Sequence, residues 1–145
     1  MAVQLYDPDV APSPDEWLAL DESERTTLIA AYHEQAGIDL PNARFHAVLH
    51  TIIENQIAMG DQVPVAATVK RLVEEGLSRH EAIHCLMQTM AEHMKAILAS
   101  PNARGANDRY YAKVQALTAY DWLNRGDPDE PPPVRPKPKR LRFRP

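Results

Sequence analysis

Apolar residues recur every three to four positions in five stretches of the chain, which is the spacing of one face of an α-helix. The predicted helices occupy residues 13–37, 42–60, 64–76, 78–100 and 107–126. No stretch alternates apolar and polar residues as a half-buried strand would. Because the connections are short, sequential helices should pack as antiparallel neighbours. The pattern therefore predicts an all-α protein, a bundle of four to five helices.

Residues that favour helix ends bound these stretches. Ser13 offers a capping hydroxyl directly before Pro14, and two acids follow in the first turn. Ser78 and Glu81 have the spacing of a capping box, and Gly76 ends the short helix before them. The helix starts are thus predicted by local chemistry as well as by periodicity.

Composition divides the 145 residues into one domain and a tail. Residues 127–145 hold seven of the thirteen prolines and carry a net charge of +3, whereas residues 1–126 carry −7. Proline provides no backbone donor and the tail has little apolar surface to bury. We therefore predict a helical domain over residues 1–126 and a disordered, Pro-rich basic tail over residues 127–145.

Several classes of protein are excluded or disfavoured. No run approaches the roughly 18 consecutive apolar residues of a membrane span, and the first residues lack the basic and apolar regions of a secretory signal. Cys85 is the single cysteine, so no internal disulfide can form, and we predict a cytoplasmic protein. The acidic domain argues against nucleic-acid binding by residues 1–126. The oligomeric state stays open.

Histidines are placed on two of the predicted helices in matching pairs. His46 and His50 are four residues apart with Glu54 one turn further, and His80 and His84 form a second pair. Residues at this spacing share one face of a helix, and each step of four residues advances about 6 Å along the axis. Each helix therefore presents a row of metal-ligating side chains beside its apolar stripe.

Helix lengths predict that the two pairs lie at one height of the bundle. The short helix returns the chain by roughly 18 Å, so residues 80–84 should lie level with residues 46–50. His33 falls at the same height across the first helical hairpin, whereas His93 lies three turns away. Imidazole is the commonest metal ligand, and several imidazoles with a carboxylate suit transition metals. We predict a site for a divalent transition metal, zinc or iron, with these ligands: His33, His46, His50, Glu54, His80 and His84.

Two other functions are compatible with the residues. Residues 80–84 match the His-Glu-x-x-His pattern of zinc hydrolases, in which Glu81 would act as general base, although Glu81 is also explained by capping. The basic, Pro-rich residues 127–145 have the composition of a segment that docks on a protein partner. In that case the protein would be a non-catalytic interaction module. Whether the protein is an enzyme stays open.

Part of the ligand pattern resembles hemerythrin-like oxygen-binding di-iron bundles. The resemblance rests on His50 and Glu54 on one helix, His80 and His84 on another, and His33 upstream. It implies a helical bundle that holds iron between its helices. Reasoning from the residues alone leaves the identity and number of the metal ions open.

A longer stretch, roughly residues 15–99, resembles a family of small bacterial helical proteins of unknown function. The family's features are a paired-histidine helix that runs into a Glu-x-Gln segment and a later His-x-x-x-His helix. The resemblance implies a bundle with these residues in one site, and it implies no reaction. The matching residues are His46, His50, Glu54, Gln56, His80, Glu81 and His84.

Overall fold

The computed structural model of the chain describes residues 5–126. This part contains no strand, so the all-α prediction is confirmed. The predictions of disorder and of partner binding for residues 127–145 lie outside the described residues. Seven α-helices and one 3₁₀ turn, Gly60–Gln62, follow one another: α1 Pro14–Ala19, α2 Glu22–Gln35, α3 Ala43–Ala58, α4 Val65–Glu74, α5 Arg79–Ala99, α6 Ala106–Ala116 and α7 Ala119–Arg125.

The first predicted helix is divided in two, so the prediction of one continuous helix over residues 13–37 is wrong. Leu20 is extended, with ψ of 149°, and ends α1. The guanidinium of Arg25 donates to the carbonyls of Leu18 at 2.9 Å and Leu20 at 2.8 Å. A side chain from α2 thus satisfies carbonyls that would otherwise be left unpaired at the end of α1.

The last predicted helix is divided in the same way, between α6 and α7. The hydroxyl of Thr118 accepts from the backbone N–H of Asp121 at 3.1 Å and caps α7. Arg71 of α4 donates to the carbonyl of Leu117 at 2.7 Å. Contacts from a distant helix therefore stabilise the break, which explains why periodicity alone predicted one helix.

The apolar core consists of two clusters that meet at α3. The smaller cluster lies around Trp17 and Ile29 and includes Ala47 of α3, whereas Leu49 and Ile53 of α3 belong to the larger cluster. The helix α3 packs against α1, α2, α4 and α5. It is therefore the central element of the described residues. No helix among these residues combines the length and the apolar content needed to cross a membrane.

Candidate metal centre

Four histidines from three helices converge in the interior. His33 comes from the last turn of α2, His50 from the middle of α3, and His80 and His84 from the first two turns of α5. One nitrogen of each imidazole lies within 4.8 Å of the corresponding nitrogen of every other. The structure thus brings these four predicted site residues together, as their positions along the helices indicated.

The cluster is tightly packed and almost closed to solvent. The ring centroids of His80 and His84 are 4.2 Å apart, and those of His33 and His80 are 5.4 Å apart. His50 is fully buried and His33 is 4% exposed, whereas His80, the most exposed of the four, is half-buried. Polar side chains in such a position need compensating interactions, because burial removes their hydrogen bonds to water.

His46 lies at the edge of this group. Its Nε2 is 3.1 Å from Nε2 of His33, and its ring centroid is 4.7 Å from that of His84. It is buried, and it lies outside the group of four nitrogens. His46 is therefore next to the cluster, and its predicted role as a ligand stays a prediction.

Backbone contacts orient His33. Its Nδ1 lies 2.9 Å from the carbonyl oxygen of Ile29. A carbonyl can only accept, so Nδ1 carries the proton and donates, and in a neutral ring the lone pair is left on Nε2. Burial lowers the pKa of His33, which favours this neutral form. The lone pair of His33 is therefore on Nε2, which accepts a hydrogen bond from Nε2 of His46 at 3.1 Å.

Glu54 is buried one turn beyond His50, and its carboxylate pairs with the guanidinium of Arg79. Its Oε1 is 2.7 Å from Nη2 of Arg79, and its Oε2 is 2.9 Å from Nη1. The hydroxyl of Tyr6 also donates to Oε2. The group of four nitrogens does not include Glu54, whose predicted role as a ligand stays a prediction. The carboxylate acts in this structure as the partner of Arg79 and Tyr6.

Tyr6 is a site residue that the sequence did not indicate. It is 7% exposed, and its hydroxyl lies 2.8 Å from Nε2 of His50. Burial, together with the charge of Glu54, raises the pKa of the phenol well above its usual range. Tyr6 lies in an irregular segment with no periodicity, so no sequence signal linked it to the histidines.

The segment that carries Tyr6 is tied to the start of α5. Arg79 donates to the carbonyl of Pro8 at 2.9 Å, and the backbone N–H of His80 donates to Oδ1 of Asp9 at 3.2 Å. Burial opposes the charge of Arg79, but its hydrogen bond and attraction to Glu54 outweigh burial and raise the pKa of the guanidinium. The N-terminal segment therefore lies across one side of the imidazole cluster.

Two other predicted positions lie away from the cluster interior. The backbone N–H of Glu81 donates to Oγ of Ser78 at 3.0 Å, which confirms the predicted cap, and the side chain of Glu81 is exposed. The role of Glu81 as a general base stays a prediction. His93 stacks on Tyr110 with ring centroids 4.8 Å apart, and it lies outside the cluster as predicted.

A cavity of about 780 Å³ lies between α2 and α3, and His33 forms part of its wall. The wall also contains the small residues Ala30 and Ala47. Small side chains leave space where two helices meet. The cavity thus adjoins the imidazole cluster through His33.

Comparison with known proteins provides no relative from which a function could be transferred. No protein-family model matches the chain, and searches of characterised proteins and of solved structures find no significant match. The two resemblances described above therefore stay predictions. Conclusions about function depend on the geometry of the cluster.

Proposed function

We propose that this protein binds a divalent transition metal ion through His33, His50, His80 and His84. The observation that carries the proposal is the convergence of four imidazole nitrogens, all within 4.8 Å of one another, from three helices. Burial makes neutral imidazoles costly, and one cation bound by a nitrogen of each of the four rings would compensate for that cost. Ligands that project inward from several helices are a common design of metal sites in bundles.

The spacing of the nitrogens fits a metal ion after a small contraction. A zinc–nitrogen distance of about 2.0–2.1 Å places two ligands of a tetrahedral site about 3.3 Å apart. The widest separation here, at most 4.8 Å, would therefore shorten by about 1.5 Å. Rotation of the side chains can supply that movement while the helices stay in place.

The ligand type favours zinc or iron. Neutral imidazole nitrogens suit first-row transition metals, whereas calcium and magnesium need mostly oxygen ligands. Burial lowers the pKa of both His33 and His50, so both rings stay neutral at neutral pH, as a metal ligand must. His46, whose ring centroid is 4.6 Å from that of His33 and 4.7 Å from that of His84, is a candidate fifth ligand.

The groups around the cluster orient its rings and add no net charge. Glu54 and Arg79 form an ion pair beside the imidazoles, and the two charges of that pair cancel. The hydrogen bonds of His33 and His50 to groups outside the cluster hold their rings in place.

We also retain three expectations as proposals: a cytoplasmic location, membership of the bacterial helical family, and a protein partner for residues 127–145.

Elemental analysis tests the proposal. The tag-free protein is purified without chelator and its metals are measured by mass spectrometry, beside the His50→Ala/His84→Ala double variant and a His93→Ala control. We expect near-stoichiometric zinc or iron in the unaltered protein and in the control, and loss of the metal in the double variant. Circular dichroism shows whether the double variant keeps its helices.

Two results would overturn the proposal. If the unaltered protein holds no metal after anaerobic loading with iron, zinc and copper, the imidazoles are structural. Equal metal content in the unaltered protein and the double variant would place any bound metal outside the cluster.

A further inference from the structure

A buried chain of hydrogen bonds connects Arg79 to His50. Arg79 contacts Glu54, Glu54 accepts from Tyr6, and the hydroxyl of Tyr6 lies 2.8 Å from Nε2 of His50. Glu54 is 1% exposed and His50 is fully buried. Water is therefore kept away from Glu54 and His50, and the hydrogen-bonding groups of the protein determine the position of each proton in this series of hydrogen bonds.

The direction of each hydrogen bond follows from the donors available. A guanidinium can only donate, and the carboxylate it pairs with can only accept. The hydroxyl of Tyr6 has a single proton, and that proton is donated to Glu54. The oxygen of Tyr6 is consequently the acceptor in its contact with His50, and Nε2 of His50 must supply the proton.

This direction leaves Nδ1 of His50 with its lone pair. Nδ1 is buried, and among the described residues it has no hydrogen-bond partner. Buried nitrogens nearly always have partners, so this lone pair is the position on His50 that can take a further ligand. One nitrogen of His50 belongs to the cluster of four. Because Nε2 is hydrogen-bonded to the hydroxyl of Tyr6, Nδ1 is the nitrogen of His50 that can contribute to the cluster.

We propose that Tyr6, held by Glu54 and Arg79, is a positioning residue that fixes the tautomer of His50 and makes Nδ1 its metal-binding nitrogen. The metal-binding half of this inference rests on the proposed function, whereas the tautomer is a property of the metal-free protein. His33 is fixed in the opposite sense, because its Nδ1 donates to the carbonyl of Ile29 and its lone pair is therefore on Nε2. Two ligands of one cluster therefore bind through different nitrogens.

Fixing the tautomer prepares the site for an ion. If Nε2 lost its acceptor, part of the His50 population would carry the proton on Nδ1, and that proton would block the ligand nitrogen. Removing a hydrogen-bonding partner of a ligating histidine typically weakens metal binding 10- to 100-fold. The same range is expected when the hydroxyl of Tyr6 is removed.

Nuclear magnetic resonance of the metal-free protein tests the first half. Long-range proton–nitrogen spectra at neutral pH distinguish the two neutral tautomers of a histidine, and a His50→Gln variant assigns the signals. We expect the Nε2–H form of His50 in the unaltered protein and a mixture of tautomers in Tyr6→Phe. Finding the Nδ1–H form in the unaltered protein would overturn the inference.

Zinc affinity tests the second half, by competition titration against a chelating dye. Tyr110→Phe is a matched control, because Tyr110 is also buried and its hydroxyl donates to Gln56 at 2.7 Å. The one histidine that its ring stacks on, His93, lies outside the cluster. We expect Tyr6→Phe to bind zinc 10- to 100-fold more weakly, and Tyr110→Phe to bind as the unaltered protein does.

The outcomes separate the two proposals. Tight zinc binding that Tyr6→Phe does not weaken, or that Tyr110→Phe weakens equally, would overturn the role of Tyr6 and leave the proposed function standing. If the unaltered protein binds no zinc and no other transition metal, the proposed function and the ligand role of Nδ1 both fail. The tautomer measured in the metal-free protein would in that case still decide the first half.

Discussion

Replacing Arg79 with methionine removes the cation from a buried ion pair. The Nη2 atom of Arg79 lies 2.7 Å from Oε1 of Glu54, and the side chains are 12% and 1% exposed, respectively. Methionine fills a similar volume with apolar atoms, so the main consequence is a buried carboxylate without its charged partner. Among the described residues, the hydroxyl of Tyr6 is then the remaining hydrogen-bond donor to that carboxylate.

The expected cost is large relative to the stability of a domain of this size. Breaking a buried ion pair by removing one partner typically destabilises a protein by about 3–5 kcal/mol, because the remaining charge is desolvated and uncompensated. A domain is stable by about 5–15 kcal/mol in total. Arg79→Met should therefore lose a substantial part of the free energy of unfolding, since the carboxylate of Glu54 is almost fully buried.

Urea unfolding of the metal-free protein at neutral pH measures this loss. The double variant Arg79→Met/Glu54→Gln should recover much of the stability, because no charge is left buried. Arg109→Met provides a control at an exposed arginine and should cost less than about 1 kcal/mol.

Two results would refute this reasoning about the ion pair. A loss below about 1 kcal/mol for Arg79→Met would show that the pair contributes little. A double variant as unstable as Arg79→Met would show that the unpaired carboxylate is not the cause.

Two further predictions concern acid and a helix cap. Burial lowers the pKa of His33 and His50 below the usual value of about 6.5, so on acidification the unfolded chain takes up protons before the folded chain does. The metal-free protein should therefore keep the stability that these two neutral histidines provide above about pH 6.5. Below that pH its free energy of unfolding should fall by up to about 1.4 kcal/mol per pH unit for each of the two histidines. Urea midpoints that do not change with pH would contradict the lowered pKa of these histidines. Thr118→Ala removes the cap of α7 and should cost about 1 kcal/mol in thermal unfolding, whereas an unchanged midpoint would show that the cap contributes nothing.

The sequence predicted the meeting of the histidines because helical geometry is regular. A rise of 1.5 Å per residue converts the number of residues in α3, α4 and α5 into heights along the bundle. The spacing of four residues then places His80 and His84 on one face. These two rules require no knowledge of distant contacts. They placed the two histidine pairs at one height, and the first helical hairpin placed His33 level with them.

The remaining features depend on contacts between residues far apart in the sequence. Tyr6 and His50 are separated by 44 positions, and Tyr6 lies in a segment without periodicity. Glu54 lies on the same face of α3 as the histidines, but Arg79 at the start of α5 engages its carboxylate. The break after α6 is partly local, because Thr118 has the spacing of a cap, and partly distant, because an arginine of α4 stabilises it. Periodicity contains no information on such partners.

X-ray absorption at the metal edge of the zinc-loaded protein shows directly which atoms surround the ion. We expect a first shell of about four nitrogens at about 2.0–2.1 Å, with the outer-shell pattern of imidazole rings. A first shell dominated by oxygen or sulfur, or zinc that is lost on gel filtration, would contradict a metal site built from His33, His50, His80 and His84.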